Sequence, residues 1–115
     1  VENHRVVGSV DIYPTLMELC GIKVPQGLDG QSFAPLLQRS DKVEWKDYAY
    51  SFFHDGISVR TPDCRLTYYQ KKNEKWVELY RYSEDCMERE NIADKNPEVI
   101  QKLLGRHSIL KNKLK

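Results

Sequence analysis

With 115 residues, 18 basic against 17 acidic side chains and a net charge of +1, the chain has room for one domain with its own core and carries no overall field that would draw it to nucleic acid or to a membrane surface. Apolar residues at 40% and charged residues at 30% exclude a disordered chain. No apolar run nears the roughly 18 residues that cross a bilayer, and the first residues lack the apolar centre of a signal peptide.

Val1 to Val10 is a mixed segment that includes His4 and Arg5 and has no clear period. Asp11 then stands before Ile12-Tyr13-Pro14-Thr15-Leu16-Met17-Glu18-Leu19-Cys20, with Gly21 after it. This predicts a helix over 11–20 with both ends marked. Asp11 can accept hydrogen bonds from the first free N–H groups, Pro14 falls in the first turn where a missing donor costs little, and Gly21 supplies a left-handed stop. Ile12, Leu16 and Leu19 share a face that Tyr13, Met17 and Cys20 widen. So broad an apolar stripe on a short helix is expected to find part of its partner outside this chain.

Ile22 to Gln31 is interrupted by Pro25, Gly27 and Gly30, which precludes a regular element. Ser32 can cap a short helix over 33–38, with Pro35 inside its first turn. Arg39 to Lys46 is charged apart from Val43 and Trp45 and reads as a linker, with a boundary between two structural regions near Ser40.

Asp47 to Tyr82 reads as an antiparallel meander of three to four strands. Tyr48 to Phe53 forms one run, Gly56 to Tyr69 folds back on itself around Thr61-Pro62-Asp63, and Trp76 to Tyr82 closes the set. Ile57 and Val59 alternate with Ser58 and Arg60, Leu66 and Tyr68 with Arg65, Thr67 and Tyr69, and Val77 and Leu79 with Glu78 and Tyr80. That is the period of strands with one dry face. Pro62 suits the second position of a tight turn because its ring sets φ, and Asp63 tolerates the next. Polar Gln70 to Lys75 reads as the second reversal.

Charged Ser83 to Ala93 is expected to wrap the sheet edge, pinned by Ile92 and Ala93. Asn96-Pro97-Glu98 opens a helix over 97–113, with an N-cap, a proline at the first position and a carboxylate near the positive end of the dipole. Val99, Leu103, Leu110 and Leu114 lie along one stripe, joined by Ile100 and Leu104. Gly105 weakens that helix by about 1 kcal/mol relative to alanine. Lys111, Lys113 and Lys115 suit its negative end, and without interleaved aromatic residues they do not form a nucleic-acid arm. The fold class expected is α+β, a small antiparallel sheet packed against a C-terminal helix.

Cys20, Cys64 and Cys86 form no C-x-x-C pair, so neither a zinc ribbon nor a thioredoxin-like site is indicated. They read as buried thiols, Cys20 as a small core residue on the apolar helix side. Cys64 and Cys86 could meet across the sheet, but an odd count argues against a disulfide framework.

Ser9-Val10-Asp11-Ile12-Tyr13-Pro14-Thr15-Leu16-Met17-Glu18-Leu19-Cys20-Gly21-Ile22, then Leu28-Asp29-Gly30-Gln31-Ser32-Phe33 and Pro35-Leu36-Leu37, resembles the signature that opens the C-terminal part of sulfatases. Gly56-Ile57-Ser58-Val59-Arg60-Thr61, Arg65-Leu66-Thr67, Glu78-Leu79-Tyr80 and Glu90-Asn91-Ile92-Ala93 with Asn96-Pro97 are similar to successive markers of that family's smaller subdomain. The pattern is most similar to iduronate-2-sulfatase-like enzymes, in the superfamily that also holds alkaline phosphatases and phosphonate hydrolases.

The resemblance implies a two-part enzyme that hydrolyses sulfate esters at a calcium site, with a formylglycine matured from cysteine in a Cys-x-Pro-x-Arg context, or a serine-type equivalent. A poor, negatively charged electrophile needs such a nucleophile and concentrated positive charge. Residues 1–40 would then end the main domain and 41–115 would form the C-terminal subdomain. Cys20, Cys64 and Cys86 all lack the following x-Pro-x-Arg, and no Asp, Asn and His cluster stands at ligand spacing. The resemblance therefore assigns no catalytic, cofactor-binding or metal-binding residue here. Calcium and formylglycine are expected in an N-terminal α/β domain, which is the expected partner together with a sulfated carbohydrate. Beginning at Val1 without methionine, the chain reads as cut from a longer one and inert by itself. The family also implies a periplasmic, secreted or lysosomal setting.

In that family, loops of the subdomain can form one wall of the substrate cleft. His54 and Asp55, in a connection between strands, are therefore candidates for substrate contact, against the plain reading of a surface loop. Arg60 is a third candidate: it could grip an anionic sugar through its planar fork or make a cross-strand ion pair. His4 and His107 carry less. The aromatic set Tyr48, Tyr50, Phe52, Phe53, Tyr68, Tyr69, Trp76, Tyr80 and Tyr82 suits sheet packing, with a carbohydrate platform as the other reading. Acidic Glu74, Glu78, Glu84 and Asp85 spoil a single-stranded nucleic-acid surface. A non-catalytic α+β module for glycan or protein contact is the alternative to the sulfatase reading.

Overall fold

The computed structural model describes residues 3–38 and 43–106. The chain divides into two compact units, Val1–Ala49 and Tyr50–Lys115. In the first, a 3-10 turn at Ser9–Asp11 leads into helix α1, Ile12–Leu19, and helix α2 is Ala34–Leu37. Gly21 ends α1 at φ +70°. Its amide donates to the Glu18 carbonyl at 3.0 Å, and the Ile22 amide to that of Met17 at 2.9 Å. These two bonds satisfy carbonyls that the last turn leaves open.

The start of α1 differs from the sequence reading. Asp11 has helical dihedrals and makes no side-chain cap to α1; its carboxylate turns back and accepts the Gly8 amide at 2.7 Å. Ser32 Oγ does accept the Ala34 amide, at 3.2 Å. The stretch before the sheet returns to the first unit. Trp45 Nε1 donates to the Val6 carbonyl at 2.7 Å, and Arg5 pairs with Asp47 at 2.5 Å. The division into units accordingly falls later in the chain than Ser40.

The second unit is a four-stranded sheet in the order β1-β2-β3-β4, with β1 Ala49–Phe53, β2 Gly56–Arg60, β3 Cys64–Lys71 and β4 Glu74–Arg81. The paired strands β2, β3 and β4 are antiparallel, with Val59 opposite Leu66 and Leu66 opposite Leu79. Helix α3, Pro97–Gly105, covers one face. Ile57, Val59, Cys64, Leu66, Tyr68 and Leu79 close a core with Ala93, Leu103 and Leu104. The alternation read from the sequence is the alternation observed, and the fold is α+β.

Four local readings change. The reversal placed over Gln70 to Lys75 is confined to Lys72 and Asn73, because Gln70 pairs with Lys75 and Lys71 with Glu74. Asn96 does not cap α3 with its side chain; its amide donates instead to the Ile92 carbonyl at 2.9 Å. Of the three free thiols only Cys64 is buried, while Cys20 and Cys86 are exposed. Cys20 lies outside the core, just past the end of α1, whose apolar side is about half exposed. Gly105 stands at the end of the described helix, and His107, Leu110 and Leu114 lie outside the described residues.

Candidate functional site

Asp11 and Thr15 form a buried polar node in the first unit. Asp11 is fully buried and accepts hydrogen bonds from the amides of Gly8 at 2.7 Å and Gln31 at 2.8 Å, and from Lys46 Nζ at 2.8 Å. Burial pushes its carboxyl up, but the hydrogen bonds from Lys46, Gln31 and Gly8 outweigh this and hold it below the usual aspartate value. Thr15 Oγ1 donates to the Asp11 carbonyl at 2.6 Å and accepts the Phe33 amide at 2.9 Å. A Cβ on Gly30 would stand 1.9 Å from the Val10 carbonyl oxygen, so only glycine lets this loop close. The sulfatase-like signature of this segment is thus a set of ties between α1 and the loop before α2. The other side of α1 presents Ile12, Tyr13, Leu16 and Leu19, each about half exposed.

On the sheet face away from α3, Arg60 and Arg65 are opposite residues of β2 and β3. Arg65 grips Glu88 through Nε at 2.7 Å and Nη2 at 2.5 Å, and the Tyr82 hydroxyl donates to the same carboxylate. Arg65 first, then Tyr82, holds the Glu88 carboxyl down to about 2. Arg60 makes no cross-strand ion pair among the described residues: its guanidinium stacks over the Tyr82 ring at 3.6 Å. This end of the sheet is therefore a packed ionic cluster.

His54 and Asp55 lie elsewhere. β1 and β3 run toward one end of the sheet and β2 and β4 leave from it, so the turns at His54-Asp55 and Lys72-Asn73 share that end. Arg60 is at the far end of β2, roughly 13 Å from Gly56 at about 3.3 Å per residue. The Gln70 amide donates to the Asp55 carbonyl at 3.4 Å, joining the two tips. His54 adopts φ +49°, and its ring meets that of Phe53 edge-on, with centroids 4.3 Å apart. Next to them Tyr69 lies opposite both Gly56 and Trp76. Trp76 is 63% exposed, and its Nε1 donates to Glu78 Oε1 at 2.9 Å. A groove of about 550 Å³ starts at Lys75 and Trp76 and runs between β4 and the start of α3, past Val77, Asn91, Asp94 and Ile100.

The structure thus brings His54 and Asp55 together with a basic, aromatic hairpin, whose Tyr69 and Trp76 the sequence placed in the aromatic set and whose lysines it read only as a polar reversal, and leaves Arg60 apart. The signal was present in Lys71, Lys72, Lys75 and Trp76, but only pairing of the strands shows that two turns share one end. Among the described residues, no group of three or more His, Cys, Asp or Glu side chains could hold a metal ion, and no helix is long and apolar enough to cross a membrane.

Comparison with known proteins bears on this arrangement. The family model described as N-sulphoglucosamine sulphohydrolase, C-terminal, matches residues 1–113. Human arylsulfatase K is 34% identical over 120 residues, which cover 92% of this chain and 22% of that protein. The delta 4,5-hexuronate-2-O-sulfatase of Bacteroides thetaiotaomicron is 34% identical over 110 residues, 89% of this chain and 22% of that protein. Among solved structures, a 2-O glycosaminoglycan sulfatase superposes with a TM-score of 0.67 at 32% identity, covering 90% of this chain and 24% of its own. A protein solved with its substrate D-glucosamine-2-N,6-O-disulfate reaches a TM-score of 0.71 at 24% identity over 89% of this chain and 24% of its own. The chain spans about a fifth to a quarter of the length of these relatives.

Proposed function

Because the chain belongs to the sulfatase family of the alkaline phosphatase superfamily, as its C-terminal domain, we propose that it serves a sulfuric ester hydrolase as the supporting and cleft-forming part. The observation that carries this reading is the two-sidedness of α1. Its inner side is locked by Asp11 and Thr15, while Ile12, Tyr13, Leu16 and Leu19 are each left about half exposed. Such a face fits the flank of an α/β catalytic domain. The calcium and formylglycine that the family implies are assigned to that domain, since none of the cysteines of this chain has the x-Pro-x-Arg context of a formylglycine.

The substrate we assign is a sugar carrying a 2-O-sulfated uronic acid, as in iduronate-2-sulfatase-like enzymes. Its support is the relative named for hexuronate 2-O-sulfate at 34% identity. The His54-Asp55 turn is assigned to one wall of the cleft, where a loop on a rigid hairpin holds its side chains in place.

A chimera tests this. The C-terminal part of the Bacteroides hexuronate-2-O-sulfatase is replaced by this chain, and release of sulfate from an unsaturated 2-O-sulfated disaccharide is measured. Turnover by the chimera and none by the chain alone is the expected result. A folded chimera without activity, or turnover by the chain alone, would overturn the assignment. In the chimera, His54→Ala should raise KM with kcat little changed; an unaltered KM removes the turn from the cleft.

A further inference from the structure

The shared hairpin tip carries more binding chemistry than a supporting role requires. Trp76 holds its indole fixed by the bond to Glu78 while remaining 63% exposed, and Phe53 beside the neighbouring turn is 75% exposed. Lys71 shares the sheet face of Trp76 and Lys72 sits in the turn between them, and among the described residues neither pairs with a carboxylate, although Glu74 lies opposite Lys71. Lys75 alternates to the other face, where its Nζ stands 5.3 Å from the centre of the Tyr68 ring. Large aromatic faces in solvent usually mark a contact, and unpaired cations around them select an anionic partner.

We propose that this tip, with the groove leading from it, holds the anionic sugar chain that flanks the residue being cleaved. The inference rests on the sulfated-sugar reading above and adds a second, non-catalytic holding site. A pyranose ring has one apolar C–H face that can lie on the Trp76 indole. Its sulfate or uronate groups then meet Lys71 and Lys72 on that face, and the next sugar of the chain crosses the edge of β4 to the groove, where Lys75 can meet an anion and Asp94 can accept a hydroxyl hydrogen bond. Lysine suits the task because its ammonium is a hydrated point charge on a flexible stem, which grips sulfate without a fixed fork. The interspersed Asp55, Glu74 and Asp94 carboxylates disfavour the continuous phosphate line of a nucleic acid.

The probe is a sulfated glycosaminoglycan hexasaccharide, titrated calorimetrically into the chain beside its desulfated counterpart and a sulfated monosaccharide. The sulfated hexasaccharide should bind tightest of the three, and more weakly as salt rises. Trp76→Ala, and separately Lys71→Gln with Lys72→Gln and Lys75→Gln, should each weaken it by about tenfold, while Lys102→Gln on α3 should not. Equal binding of sulfated and desulfated chains, no salt dependence, or full affinity in the tip variants would overturn the proposal. Trp76→Ala that instead lowers thermal stability of the chimera and leaves hexasaccharide affinity intact would make the tip a domain contact. An inactive chimera with sulfate-selective binding intact sinks the catalytic reading alone, whereas an active chimera without that binding sinks this one.

Discussion

Asp11 is a carboxylate without solvent, kept charged by two amides and Lys46. Replacing it by asparagine leaves Lys46 without a counter-charge, and breaking a buried pair in this way costs about 3 kcal/mol. Asp11→Asn should therefore shift the urea midpoint followed by Trp45 fluorescence to lower denaturant; an unmoved midpoint would mean the node needs no charge. Glu88 gives the corresponding prediction for pH. Its carboxyl is held down to about 2 from 4.5, so the stability it contributes is complete above 4.5 and is lost as pH falls through 2. Thermal unfolding of the wild type should steepen its decline in that window. Glu88→Gln should lower stability by about 1 kcal/mol at neutral pH and remove that part of the decline. Two glycines set opposite expectations. Gly30→Ala forces an atom onto the Val10 carbonyl and should unfold the first unit. Gly105→Ala meets nothing within 4 Å and, at the last residue of α3, should stabilise by about 0.5 kcal/mol, read as a small rise in Tm.

At the level of elements, β4 is an edge strand whose outward backbone groups need cover. Asn91 supplies it. Its Oδ1 accepts the Leu79 amide at 3.0 Å and its Nδ2 donates to the Val77 carbonyl at 3.0 Å, after which the Ile92 amide donates to the Leu79 carbonyl at 2.9 Å. A side-chain amide thus stands in for part of a fifth strand. Asn91→Ala uncovers two backbone groups and should cost about 2 kcal/mol, with faster amide exchange at Leu79; exchange as slow as in the wild type would show that the edge is closed some other way. That Ser83 to Ala93 wraps the sheet edge, pinned by Ile92 and Ala93, was legible, and Ala93 does lie in the core with Ile92 packed against it; the part played by Asn91 was not, because the segment has no period. The strands were legible because one face of each is dry, so Val59, Leu66 and Leu79 alternate with polar neighbours. Beyond Tyr69 that contrast ends, since Gln70 to Lys75 outrun β2 and are exposed, and strand was taken for turn. Asp11 misled for the same reason as Asn91. A carboxylate before a helix suits a cap, but its partners Gln31 and Lys46 are far along the chain and leave no local pattern. His54 and Asp55 could be named from their place between two strands, while their neighbours Lys72 and Trp76 required the register.

For the whole molecule, the decisive quantity is apolar surface without a partner. Ile12, Tyr13, Leu16 and Leu19 are each about half exposed, and Val10 and Ile22 beside them are equally so. Monomeric proteins rarely expose contiguous apolar patches beyond a few hundred Å², so the chain by itself should cover this face with a second copy. Sedimentation velocity should show a weight-average mass that rises with concentration, and raised salt, which screens charge but not apolar contact, should not reverse it. Leu16→Lys with Leu19→Lys places two charges on the stripe and leaves Asp11 and Thr15 untouched, so the fold should persist while association is lost. The same pair of substitutions in the chimera should lower its Tm or its yield of active enzyme, because the face then meets the α/β domain with two buried lysines. If the substituted chimera were as stable and as active as the unsubstituted one, the stripe would not be the contact that joins this domain to a catalytic partner, whatever the chain does alone.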